Sequence, residues 1–209
     1  MTVGTPPEPR ARDQALEVMM NAAVTLYWLP LGAGGHFVRN NGRIFEAVVA
    51  RREHREPRGL YHAALEVELE GNRFMIEMGP AWSAGASDRG VVQTGPVGLR
   101  WLGRSVLFRY EVRCWRGGVI PDLAEAVAAE LVSADPAQAR QVLDLVPLVP
   151  ALTWGRDELH TGEMWNSNSL TAWLLARSGH QMANINPPKG GRAPGWRAGE
   201  VFAARQLAG

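Results

Sequence analysis

Leu65-Glu66-Val67-Glu68-Leu69-Glu70-Gly71-Asn72-Arg73-Phe74-Met75-Ile76-Glu77-Met78 decides the fold class. Two runs of strict apolar/polar alternation flank a glycine-containing dipeptide, which is the signature of an antiparallel hairpin. A turn at Gly71-Asn72 sets Leu69 opposite Phe74, Val67 opposite Ile76 and Leu65 opposite Met78. One face is then wholly apolar. The other pairs Glu70 with Arg73, Glu68 with Met75 and Glu66 with Glu77, and His62 shares its parity. Like charges directly opposite destabilise a ladder. The Glu66/Glu77 pair therefore requires full solvation, an arginine above it, or a proton on one carboxyl.

Outward from the hairpin, the pattern predicts an α+β fold with an antiparallel sheet packed against helices. The run at 105–115 reads as a second strand, with Phe108, Tyr110, Val112 and Cys114 on one face. Helices are expected over 13–25, over 122–132 and from Asp135-Pro136 to about Leu145, where Asp135 serves as N-cap and Pro136 fits the first turn. A strand is expected near 44–50, and Gly95-Pro96-Val97-Gly98 reads as loop. The Pro-rich, polar residues 1–14 are expected to be a disordered tail. Residues 15–209 form a single expected domain, ending in a Pro/Gly-rich loop over 184–199.

Composition narrows the function classes. The 209 residues carry 22 basic and 21 acidic side chains, so no global field draws the chain to nucleic acid or to an anionic membrane. Lys189 is the only lysine, and Cys114 the only cysteine, which rules out an intrachain disulfide and a cysteine-based zinc site. A single thiol fits a reducing compartment, and a cytoplasmic location is the expectation. The apolar run at 15–31 is interrupted by Glu17 and too mixed to span a bilayer, so no membrane span is expected.

The chemistry-bearing segment is Trp165-Asn166-Ser167-Asn168-Ser169, which runs into Leu170-Thr171-Ala172-Trp173-Leu174-Leu175-Ala176-Arg177-Ser178-Gly179. Asn166, Ser167 and Asn168 are all N-cap types, Leu170, Trp173 and Leu174 recur at helical spacing, and Gly179 supplies the stop. Capping alone accounts for such a cluster. A hydroxyl at the positive end of a helix also suits a nucleophile, provided that a base removes its proton. His62 is the candidate base.

The order of these parts resembles the circularly permuted papain-like superfamily, which includes lecithin-retinol acyltransferase-like proteins and permuted amidases. The resemblance rests on Tyr61-His62-Ala63-Ala64-Leu65-Glu66-Val67 and on Asn166-Ser167-Asn168-Ser169-Leu170. Ser167 stands where that superfamily has cysteine. The resemblance implies a permuted papain-like fold and hydrolysis or acyl transfer on an amide, ester or thioester. Ser167 would attack, His62 would act as base, and Glu77 or Glu66 would orient the imidazole. Backbone N–H groups and the Asn166 side chain would hold the oxyanion. It implies no cofactor, a small-molecule or acyl/peptidyl substrate, and no nucleic acid. A degenerate, non-catalytic scaffold on which Ser167 only caps a helix is the alternative.

Other groups compete. Trp165, Asn168, Trp154 and His36 are candidate substrate contacts; His36 follows a Gly-rich loop that lacks the Lys-Ser/Thr of a phosphate-binding loop. Asp157, Glu158, His160 and Glu163 form a polar loop that offers a second base or an oxygen-rich metal site, although their spacing matches no zinc motif. His54 and His180 read as surface residues. Trp173 and Trp115 read as core, and Trp154, Trp165 and Trp196 as flanking a hydrophobic pocket.

Overall fold

Alternation continues well beyond the hairpin and builds the sheet. The computed structural model describes residues 21–31, 51, 54, 56–81, 90–118 and 123–209. Its strands are β1 (Ala22–Pro30), β2 (Gly59–Leu69), β3 (Asn72–Pro80), β4 (Val91–Pro96), β5 (Arg109–Arg116), β6 (Ala128–Ser133) and the short β7 (Gly191–Arg192). Six of them form a sheet in the order β4-β5-β3-β2-β1-β6, each pair antiparallel. The seventh, β7, pairs in parallel with the start of β2. Among the described residues, three α-helices follow the main strands: α1 (Pro136–Leu145), α2 (Ser167–Arg177) and α3 (Trp196–Leu207). This is an α+β arrangement of antiparallel sheet and helices.

The hairpin turn is Glu70-Gly71, one residue earlier than the sequence suggests. Both residues take positive φ, 52° and 72°, as a two-residue type I′ turn requires, with glycine in the second place. The register therefore slips by two: Leu69 faces Asn72, Val67 faces Phe74, Leu65 faces Ile76 and Glu66 faces Met75. Because the side-chain period is two, an even slip leaves every residue on its expected face. It also removes the Glu66/Glu77 clash. Glu77 lies opposite Arg113 of β5, whose Nη1 donates to the Glu77 carboxylate at 2.8 Å while its Nε donates to Glu111 at 3.1 Å. Glu66 meets Arg73 at 3.6 Å.

The main core lies on the Leu65/Val67 face. Val24, Leu26 and Trp28 of β1 join Leu65, Val67, Ile76, Met78, Tyr110 and Val112 beneath the helices. A smaller cluster of Leu29, Ala64 and Met75 fills the opposite face. α2 is buried from Ser167 through Leu175, because β2 and β3 lie on one side of it and α3 on another. Trp165 stacks edge-on against Phe202 of α3, and Trp28 meets Trp196 with ring centroids 5.0 Å apart.

Several expectations are corrected. Residues 22–25 belong to β1, not to a helix: the run alternates buried and half-buried positions and carries the β-branched and aromatic residues that favour strands. The described part of 122–132 is a short 3-10 turn (Leu123–Glu125) followed by edge strand β6. Gly95 and Pro96, expected as loop, end strand β4 (Val91–Pro96), and Phe108 closes a 3-10 turn before β5 begins. The expected 184–199 loop ends early, since α3 starts at Trp196. His180 is buried, not a surface residue. The α1 boundaries stand as expected, with Asp135 accepting from the Ala137 N–H at 2.9 Å. The 1–14 tail, the strand at 44–50 and His36 fall outside the described residues.

Candidate functional site

The site is assembled where α2 begins. Asn166 is its N-cap: the side-chain Oδ1 accepts from the Asn168 N–H at 2.9 Å and the Ser169 N–H at 3.2 Å. The Ser169 hydroxyl accepts from the Asn166 N–H at 3.1 Å, completing a capping box, and donates to the Gly195 carbonyl at 2.7 Å. Asn166 Nδ2 donates to the Pro194 carbonyl at 2.8 Å, and the Glu163 carboxylate accepts from the Gly195 N–H at 2.9 Å. The 194–195 segment is thus fastened around the helix start. Gly195 takes φ 88°, and a Cβ there would press on the Asn166 side chain.

Ser167 occupies the first helical position. Its hydroxyl lies 2.5 Å from His62 Nδ1, a contact between residues 105 apart in sequence. Asn168 holds the two together. Its Oδ1 accepts from the Ala63 N–H at 2.8 Å, and its Nδ2 donates to the Tyr61 carbonyl at 2.9 Å. One carboxamide therefore grips the backbone on both sides of His62. This is possible because β3 pairs with β2 only as far back as Leu65, leaving the Tyr61–Ala63 edge open to the helix. Thr171 adds a longer bond, 3.4 Å, to the Ala63 carbonyl. Asn168, expected as a substrate contact, has its carboxamide committed to the backbone of β2 and to the Pro194 carbonyl. Replacing it by alanine strands the buried Ala63 N–H, so Asn168→Ala is expected to lose about 1–3 kcal/mol in urea unfolding.

Electrostatics follow from burial. Desolvation lowers the His62 pKa from 6.5 to about 4, so the imidazole is neutral at pH 7 and able to accept a proton. Neither expected carboxylate orients it: Glu77 serves Arg113, Glu66 neighbours Arg73, and among the described residues no side chain bonds His62 Nε2. The unfolded chain takes up a proton at His62 near pH 6.5, whereas the folded chain waits until about pH 4. Stability is consequently full above about pH 6.5 and falls as acid is added through that interval, by at most about 3 kcal/mol. Urea midpoints of the wild type and His62→Gln, compared at pH 7 and pH 4.5, check this. The acid-induced loss should shrink in the variant.

The remaining candidates fall elsewhere. Trp165 is buried in the core, its ring against Phe202. Trp154 is half-buried, edge-on to Tyr110, and bridges Val97. Trp196 is core rather than pocket wall. In the polar loop, Asp157 accepts from the N–H groups of Thr161 and Gly162, which lowers its pKa, and Glu158 binds Thr153 and Arg100. These acids shape the loop, and no group of three or more potential metal ligands occurs among the described residues. Of the first-turn N–H groups expected to face a substrate, Asn166 satisfies those of Asn168 and Ser169, which leaves the Ser167 N–H without a hydrogen-bond partner among the described residues.

Comparison with protein-family models, curated proteins and solved structures returns no match.

Proposed function

We propose that the protein is a serine-dependent acyl hydrolase or acyltransferase, with Ser167 as nucleophile and His62 as base. The observation that carries this reading is the 2.5 Å approach of Ser167 Oγ to a neutral imidazole at a helix N-terminus. A base within hydrogen-bond reach of a hydroxyl is the first geometric requirement for nucleophilic catalysis. The order of segments around it resembles the permuted papain-like superfamily, with serine in place of cysteine.

In this mechanism Ser167 Oγ attacks the carbonyl carbon of an amide, ester or thioester. Its proton passes to His62 Nδ1 as the new C–O bond forms. The developing oxyanion is held by the unpartnered Ser167 N–H, favoured by the positive end of the α2 dipole. The tetrahedral intermediate then collapses, the leaving group takes the proton from His62, and water or an acceptor nucleophile releases the acyl group by the reverse steps. Asn166 contributes through the helix cap, since its carboxamide is committed to the first-turn N–H groups and Pro194. The test is a fluorophosphonate probe, which should leave one adduct, mapped by mass spectrometry to Ser167.

A second reading has its own support. An imidazole with a pKa of about 4 is a weak base at neutral pH. On that reading the Ser167–His62 bond only satisfies a half-buried histidine, and the scaffold binds a ligand or partner without chemistry. A folded wild type that resists the probe favours it.

A further inference from the structure

A separate surface is built from two consecutive 3-10 turns, Arg100–Arg104 and Val106–Phe108, between β4 and β5. Neither turn buries a residue, although together with Leu99 they carry Trp101, Val106, Leu107 and Phe108. Trp101 is 68% exposed and Leu107 65%. Scattered apolar side chains on a surface need no explanation, but five within ten residues do.

Within the segment itself the charges have one sign. From Pro96 to Tyr110 the chain holds Arg100, Arg104 and Arg109 and no acidic residue. Arg100 is neutralised by Glu158 at 2.8 Å. Arg109 donates to the carbonyls of Gly103 and Arg104, which keeps its charge uncompensated. Arg104 is exposed and makes no ion pair among the described residues. At the base, Arg156 donates to the Gly98 carbonyl at 2.6 Å, adding another cation. The platform is also held firmly: the Val97 N–H bonds the Phe108 carbonyl, and the Gly98 N–H bonds the Trp154 carbonyl.

We infer that this platform docks the protein on an anionic lipid surface. An exposed tryptophan with aliphatic neighbours suits the headgroup boundary, where the ring is accommodated and the aliphatic tips leave water. Arginines around it match the negative potential of phosphatidylserine-type leaflets. A dry protein–protein interface would leave Arg104 and Arg109 facing each other across a two-fold contact between copies of the chain. No helix of the described residues is long and apolar enough to cross a membrane.

The experiment is co-sedimentation of the full chain with phosphatidylcholine vesicles, with and without phosphatidylserine. Binding should appear with phosphatidylserine and weaken as salt rises. Arg104→Glu should lower the vesicle partition coefficient about 10-fold, at roughly fivefold per surface charge removed and more for reversal. Trp101→Ser with Leu107→Ser should abolish binding, and circular dichroism should match the wild type because both side chains are exposed. Three results overturn the inference: no binding to either vesicle, equal binding to both, or phosphatidylserine binding unchanged in the Trp101→Ser/Leu107→Ser variant. Concentration-dependent self-association that this variant removes, without vesicle binding, assigns the platform to a second copy instead.

Discussion

Gly199→Ala should cost this protein about 3 kcal/mol or more, a large share of the stability of an ordinary domain. Alanine normally stabilises a helix interior by about 1 kcal/mol over glycine, so the expected sign runs against propensity. The reason is the distance between α2 and α3. A Cβ at Gly199 would run into the Ser169 carbonyl oxygen and stand 2.8 Å from the Trp173 nitrogen and 2.9 Å from the Ala172 Cβ. Ser169 and Trp173 are partners in the α2 backbone ladder, so the obstacle is backbone and cannot rotate away. α3 must move outward, which loosens Trp165 and Trp173 from Phe202. Thermal unfolding should show a fall in midpoint of roughly 6–12 °C. Ala204→Gly, at an exposed position of the same helix, is the control and should cost only about 1 kcal/mol. The Ser169 hydroxyl also anchors the Gly195 carbonyl, so the same variant should disturb the helix start that carries Ser167.

Gly199 also shows why α3 is hard to read. A glycine four residues after Gly195, following a run of prolines, extends the loop pattern into what is a helix. The information that it permits close packing lies in α2, far away in sequence. β1 is misread for a related reason. Its first residues continue the Asp13/Glu17 segment, whereas its role as the strand between β2 and β6 depends on partners more than thirty residues away. The hairpin is the opposite case. Its two faces are legible because alternation is local, and only the turn position, set by which residues accept positive φ, is displaced.

At the site, Ser167 and His62 are legible as residue types in suggestive contexts, and the contact between them is a property of the fold. The grip of Asn168 on Tyr61 and Ala63 has no local signal, because it depends on where β3 stops pairing. The expected carboxylate partners fail because Arg113, from a different strand, claims Glu77.

Removing either member of the central pair should have the largest effect on chemistry. Ser167→Ala should leave no fluorophosphonate adduct, since the hydroxyl that remains at the helix start, Ser169, is buried and committed to the Gly195 carbonyl. His62→Ala should slow labelling of Ser167 by about 10²–10⁴-fold, the usual contribution of a positioned general base. Both substitutions remove atoms without adding bulk. Near-wild-type circular dichroism is therefore expected, which separates lost chemistry from lost fold. Hydrolysis of a small activated ester should follow the same order.

The rate of fluorophosphonate labelling at Ser167 as a function of pH tests the coupling most directly. With His62 as base, the rate should be level from neutral pH down to about 5 and fall by half near pH 4, where the imidazole gains its proton. Absence of a Ser167 adduct on folded protein would contradict the account. So would a rate that climbs steadily with hydroxide through neutral pH and is unchanged in His62→Ala.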